Sequence, residues 1–277
     1  MPAQPEAFFL PADGGRLGQR FCLFHPAQGD VPKGCVLYIH PFAEEMNKSR
    51  RMAALQARAL AKAGYAVLQM DLLGCGDSSG DFGAASWEAW IDDIGLACRW
   101  LQRRTSAPLW LWGLRAGCLL AAAAARRIDA PCRLLFWQPS VNGKLVLQQF
   151  LRLKLAGNLL SGDGKRAMDA MRNDLAAGRT IEVAGYALSP ALAIGLEHAT
   201  LAPTALAARL EWLEVSGREG AEVSAAAIAN QTRWEQVGVA VRCELVNGPA
   251  FWQTTEIEEA PELVRATLAA LPESVVA

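Results

Sequence analysis

One seventeen-residue stretch constrains the fold more than any other. The apolar run Leu109-Trp110-Leu111-Trp112 enters a five-residue turn, Gly113-Leu114-Arg115-Ala116-Gly117, and leaves it through Cys118-Leu119-Leu120 into five alanines. An apolar strand followed at once by a strong helix former predicts a strand that turns sharply into a helix. The two glycines have a mechanical reason. The turn forces its central residue into strained backbone angles, and only residues without a β-carbon let strand and helix pack that closely.

The rest of the chain repeats the alternation. Phe8–Leu10 and Arg20–Phe24 flank the turn signal Asp13-Gly14-Gly15 and predict an opening hairpin. Continuous apolar runs at Cys35–Ile39, Ala66–Met70, Arg133–Trp137, Leu210–Ser216 and Val241–Val246 are what strands buried on both faces of a parallel sheet require. Between them, apolar residues recur at helical spacing. One such helix starts near Met52 and ends before Gly64, one is capped by Ser86 and runs through Arg104, one spans about Ala221 to Gln236, and one begins at Pro261. Strands alternating with helices imply right-handed crossovers and a mostly parallel, doubly wound α/β sheet.

Between Lys144 and Arg179 this rhythm breaks into a mostly helical stretch with a flexible joint expected at Gly157 to Lys165. It carries seven basic residues against three acidic ones. Its position predicts a helical cap insertion over 144–184, dividing a core domain into 1–143 and 185–277. The basic cap also raises peripheral contact with a membrane surface.

With 277 residues, 52% of them hydrophobic, the chain can bury one large core, and a formal net charge of −1 gives no global field to attract nucleic acid. Its seven cysteines form no C-x-x-C pair and sit mainly in apolar segments, so reduced core thiols are expected rather than disulfides or a zinc site. No metal or cofactor is expected. Met1 to Glu6 has neither a basic start nor a long apolar run, which predicts a cytoplasmic chain without a secretory signal. The composition leaves the oligomeric state open.

Several motifs now fall in order. They are His40-Pro41-Phe42 after one strand, Asp71-x-x-Gly74-x-Gly76-x-Ser78 after the next, the corner at 113–117, an acidic loop at 217–222, and Phe251-Trp252 after the last strand. This set resembles the α/β-hydrolase superfamily. More narrowly, the run His40 to Arg51 and Phe251-Trp252-Gln253 look like the exosortase A system-associated hydrolase 2 family, named for loci of exopolysaccharide production and protein sorting. The resemblance implies an α/β-hydrolase fold with a cap, and an ester- or thioester-processing activity. Fold alone does not fix function.

The superfamily roles map unevenly onto these positions. The nucleophile position, flanked by Leu114 and Ala116, is Arg115, which stays protonated and cannot attack a carbonyl carbon. The acid position falls on Glu219 or Glu222. The base position falls on Pro249-Ala250, which can take no proton. His25, His40 and His198 are the only histidines, and His40 opens the loop that ordinarily supplies an oxyanion donor. The catalytic candidates are therefore Arg115, Glu219, Glu222 and His40. The binding candidates are Phe42, Glu44, Glu45, Asp71, Leu114, Ala116, Phe251 and Trp252. A relocated nucleophile, Cys75 or Ser78 with His40 as base, is a further arrangement.

Arg115 itself has two destinations, and the sequence leaves both open. Its planar fork, beside the positive end of a helix, suits a carboxylate or phosphate ligand. Alternatively Glu44, Glu45, Asp71, Glu219 or Glu222 pairs with it and plugs the site, since a partly buried arginine needs a partner. Lys48, Arg50 and Arg51 either extend positive charge to the rim or form the exposed face of a helix start. Two functions follow. One is an ester or thioester hydrolase with a degenerate triad, and the other is a non-catalytic binder of an anionic metabolite or a partner protein.

Overall fold

In the computed structural model of the chain, residues 4–12, 18–128, 130–156 and 164–271 are described. Strands β1 (Glu6–Pro11) and β2 (Gln19–His25) pair antiparallel as an opening hairpin. Its expected turn at Asp13-Gly14-Gly15 lies outside the described residues, as does most of the expected joint at 157–165. Strands β3 (Gly34–Ile39), β4 (Tyr65–Met70), β5 (Leu109–Leu114) and β6 (Cys132–Trp137) are almost wholly buried, as their unbroken apolar runs require.

Helices α1 (Glu44–Lys62), α2 (Trp87–Gln102) and α3 (Gly117–Ala125) make the crossovers between them. Ser86 caps α2 by accepting from Ala89 N, as expected. Helix α1 begins two turns earlier than the expected start near Met52. Its buried face runs Met46, Ser49, Met52, Ala53, Gln56, Ala57 and Leu60, so two polar residues lie where hydropathy alone would put the surface.

After β6 the chain leaves the sheet. It forms α4 (Gly143–Ala156), α5 (Gly164–Ala176), the two-stranded hairpin β7 (Ile181–Val183) and β8 (Tyr186–Leu188), and α6 (Pro190–His198). It then returns as β9 (Ala207–Ser216), crosses through α7 (Ala225–Glu235) to β10 (Ala240–Asn247), and ends in α8 (Pro261–Ala270).

The eight-stranded sheet has the order β1-β2-β4-β3-β5-β6-β9-β10, parallel from β4 through β10. Helices α1 and α8 cover one face, with Met52, Leu60 and Leu263 packed on Val36, Trp110 and Leu135. On the other face α2, α3 and α7 meet Leu37, Leu111 and Leu134 through Ile94, Leu120 and Trp234. The mostly parallel, doubly wound sheet with a helical insertion is therefore present, and every parallel strand delivers its following loop to one carboxyl edge.

Candidate active site

Backbone strain marks that edge. Of the four non-glycine residues with positive φ among the described residues, three follow strand ends there: Ala43 (φ 50°) after β3, Arg115 (φ 55°) after β5 and Gln138 (φ 41°) after β6. Such residues cost about 1–3 kcal/mol each and persist only where their surroundings fix them.

The fixing is visible at Arg115. Its N–H donates to Trp137 O at 3.0 Å, and its carbonyl accepts from Cys118 N at 3.1 Å and from Ser140 N at 3.2 Å. A β-carbon on Gly113 would lie 2.7 Å from Cys118 Cα, and one on Gly117 would lie 2.2 Å from Ile39 O. The two glycines thus do what the sequence required of them, and the second seats α3 directly against the end of β3. All nine residues of α3 are buried, and Cys118 packs inward. At the start of α3 the N–H groups of Cys118 and Leu119 already donate to Arg115 O and Ala116 O, so those of Ala116 and Gly117 are the ones left at the corner, and Ala116 offers no side-chain cap.

The Arg115 side chain takes the internal partner. Its Nε donates to Glu45 Oε1 at 3.3 Å, and Nη2 lies 3.5 Å from Gln149 Oε1 on α4. Its guanidinium carbon stands 5.6 Å over the ring of Trp252. Of the five candidate carboxylates, Glu45 is the one that reaches it. Both side chains are mostly covered, 13% and 16% exposed, and these two hydrogen bonds leave three of the five guanidinium N–H groups without a protein acceptor among the described residues. Burial pushes the Glu45 carboxyl upward, and Arg115 opposes the shift by favouring the anion.

Glu45 and Gln149 also line a cavity of about 290 Å³ between α1 and α4. Phe42, Val146, Phe150 and Leu153 give it an apolar wall, while Glu44 and Gln253 add polar groups. Phe42 meets Phe150 edge-on at 5.1 Å, which ties the β3–α1 loop to the insertion. Lys48 Nζ donates to Gln253 O at 3.2 Å, which ties α1 to the loop after β10. Leu114, Ala116 and Phe251 are buried supports of this arrangement.

The other sequence candidates lie elsewhere. His40 is buried, its Nδ1 donates to Pro41 O at 2.8 Å, and Nε2 is the acceptor 3.4 Å from Leu72 N. Those partners fix one neutral tautomer, and burial lowers its pKa further. His40 and Asp71 line a separate cavity of about 190 Å³ with Tyr38 and Arg50. Asp71 accepts from Asp77 N at 3.1 Å and from Arg50 at 3.4 Å.

Glu219 and Glu222 are exposed, and Glu219 borders a depression formed by Ser216–Ala221, Leu245 and Asn247. His25 bonds Gln69, and His198 lies on α6 with Nδ1 at 2.8 Å from Ile194 O. Cys75 and Cys118 are buried, and burial raises both thiols far above the range of a reactive thiolate. Ser78 Oγ is held between Asp71 O and Phe21 N. Among the described residues no group of three or more His, Cys, Asp or Glu side chains is placed to hold a metal ion, and no helix is long and apolar enough to cross a membrane.

Gln149, Ala43 and Gln138 escaped the sequence reading. Gln149 stands on the insertion, and no spacing ties it to the corner. The strain at Ala43 and Gln138 carries no glycine signal.

Comparison with known proteins follows the same lines. The family model for serine aminopeptidases, S33, matches residues 30–162, and no curated protein sequence matches the chain. Among solved structures, the Butyrivibrio proteoclasticus protein Est1E with bound ferulic acid superposes with a TM-score of 0.64 at 16% identity, covering 96% of each chain. A soluble variant of Saccharomyces cerevisiae monoglyceride lipase, in complex with a substrate analogue, gives 0.62 at 13% identity over 99% of this chain and 96% of that one. A thermostable Bacillus coagulans carboxyl esterase in complex with glycerol gives 0.60 at 13% over 96% and 97%. Strand order, corner geometry and these superpositions agree that the chain has the α/β-hydrolase fold.

Proposed function

We propose that this protein is an ester or thioester hydrolase acting on a small acyl compound, with a degenerate triad in which a guanidinium stands at the nucleophile position. The observation that carries the reading is Arg115 itself. It is held in the left-handed conformation between two glycines that tolerate no β-carbon, at the start of α3 and behind a half-apolar cavity. In this reading Arg115 and the N–H groups of Ala116 and Gly117 at the start of α3 hold the acyl oxygen as it gains charge. Phe42, Val146, Phe150 and Leu153 receive the acyl chain, and about 290 Å³ limits it to a short or partly inserted one.

The match to the serine aminopeptidase model supports a hydrolytic origin. The resemblance of His40–Arg51 and Phe251–Gln253 to the exosortase A system-associated family supports a substrate from exopolysaccharide production. On α4, exposed Leu145 and Leu153 beside Lys144, Arg152 and Lys154 support peripheral contact with an anionic membrane surface. A panel of p-nitrophenyl esters and acyl thioesters tests the reading. Turnover by the wild-type protein that falls at least tenfold in Arg115→Ala is the expected result.

A second reading has its own observation. All three imidazoles are engaged away from Arg115, which favours a silent fold that binds an anion through the unused guanidinium donors. No turnover, with thermal stabilisation by phosphate or short carboxylates that Arg115→Ala abolishes, would establish that binder instead.

A further inference from the structure

A hydrolase with no hydroxyl at its corner and no imidazole near it still needs a group to take a proton from water. We propose that Glu45 is that group, a general base for direct attack of water on the acyl carbon. This inference rests on the hydrolase reading above and names its missing catalytic residue.

Position singles out Glu45. Among the described residues it is the one carboxylate that both bonds Arg115 and lines the cavity. Asp71 is committed to Arg50 and the Asp77 N–H in the other cavity, and Glu219 and Glu222 are on the exposed loop after β9. Only Oε1 of Glu45 is bonded to Arg115, so Oε2 remains for a water molecule. The strained Ala43 turns the chain from β3 directly into α1, and Gly117 holds the corner against the end of β3. The fold thereby sets the first turn of α1 beside the guanidinium.

The charges around Glu45 suit the role. Arg115, Lys48 and the start of α1 favour its anion; Glu44 and burial favour its acid; and α4 contributes the neutral Gln149. Burial is the largest of these effects, so the carboxyl is raised towards the pH at which a base works best.

The step balances without any further reactant. Water oxygen bonds to the acyl carbon while Glu45 takes one of its protons, and the carbonyl pair becomes an oxyanion held by Arg115 and the N–H groups of Ala116 and Gly117. On collapse the C–O or C–S bond breaks. Glu45 returns its proton to the departing alkoxide or thiolate, and the carboxylic acid loses its own proton to solvent.

The test compares wild type, Glu45→Gln and Glu45→Asp on whichever ester or thioester in the panel is turned over. Glu45→Gln keeps an acceptor for Arg115 but not its counter-charge, so its melting temperature should fall by only a few degrees. Its kcat should fall about a hundredfold or more with KM changed only a few-fold, and the acidic limb of the kcat/KM profile should disappear. Glu45→Asp should restore part of kcat and shift that limb, which a purely structural carboxylate would not do. Mass spectrometry during turnover should find no acyl adduct on the protein. Full kcat in Glu45→Gln, or a covalent acyl adduct, would overturn the assignment of Glu45 while leaving the hydrolase reading standing. No turnover of any ester or thioester by wild type would overturn both.

Discussion

Arg115 Nε lies 3.3 Å from Glu45 Oε1, and this contact joins the corner after β5 to the first turn of α1. Three positive charges converge there: the guanidinium and the amino ends of α1 and α3. A carboxylate in the first turn of α1 is the group that relieves all three. The arrangement therefore answers the choice posed by the sequence in favour of an internal partner, with donors on Arg115 to spare.

Removing the guanidinium should expose how Glu45 is balanced. Because burial raises the Glu45 carboxyl in the folded state, the fold binds its proton more tightly than the unfolded chain does. Stability from this group is full below the ordinary carboxylate pKa and is lost as pH rises through the raised one. Arg115 limits that loss. Arg115→Ala should accordingly be nearly neutral at pH 4.5 and cost about 1–2 kcal/mol at pH 7, less than a fully buried pair because both side chains keep some contact with water. Urea denaturation at the two pH values measures the difference. A gap that is larger at pH 4.5 would contradict the charge balance described here.

His40 should behave as a structural histidine with the opposite acid limb. Burial lowers its pKa, so the unfolded chain takes the proton first and stability falls as pH drops below about 6.5, the ordinary value for histidine. His40→Phe should cost about 1–3 kcal/mol at pH 7 by leaving the Leu72 N–H and Pro41 carbonyl unpaired, and it should flatten the decline below pH 6.5. In the wild type, nitrogen NMR should find the proton on Nδ1 and none on Nε2. A doubly protonated ring at pH 6 would rule this out.

The sequence carried the corner because every constraint on it is local. Strand, two glycines and helix lie within seventeen residues, and the close approaches of Gly113 and Gly117 are the reason only glycine serves at either place. The identity of the partner was not local. Five carboxylates from three loops were candidates, and only the packing of α1 on the sheet selects Glu45. The start of α1 was hidden because buried Ser49 interrupts its apolar face before Met52. Strands β7 and β8, three residues each, are too short for an alternating pattern to register. His40 was correctly placed at a strand end, yet one of the two hydrogen bonds that occupy its ring, from Leu72 N, comes from a neighbouring loop.

The two corner glycines should be far less replaceable than others. Gly117→Ala drives a β-carbon into Ile39 O and Gly113→Ala drives one into the backbone at Cys118, so neither clash is relieved by a side-chain rotation. Each should cost about 3 kcal/mol or more, at the upper end of overpacking effects. Gly164→Ala meets nothing within 4 Å at the start of α5 and should stay within about 0.5 kcal/mol of wild type. Thermal denaturation of the three variants decides it. Equal tolerance at all three sites would mean that α3 does not sit against β3 as described.

Restoring a hydroxyl at the corner should not restore serine chemistry. A serine is a weak nucleophile unless a base within hydrogen-bond reach takes its proton. In Arg115→Ser the sequence candidate His40 keeps both ring nitrogens on Pro41 and Leu72, while His25 and His198 are bound to Gln69 and to the α6 backbone. Glu45 loses its cationic partner in this variant, so its carboxyl moves further upward and is protonated over more of the neutral range. Esterase turnover by Arg115→Ser should therefore be no higher than wild type, and an active-site phosphonate should leave the new serine unlabelled. Measurable gain of activity, or stoichiometric labelling at position 115, would mean that a base reaches the corner from a conformation other than this one.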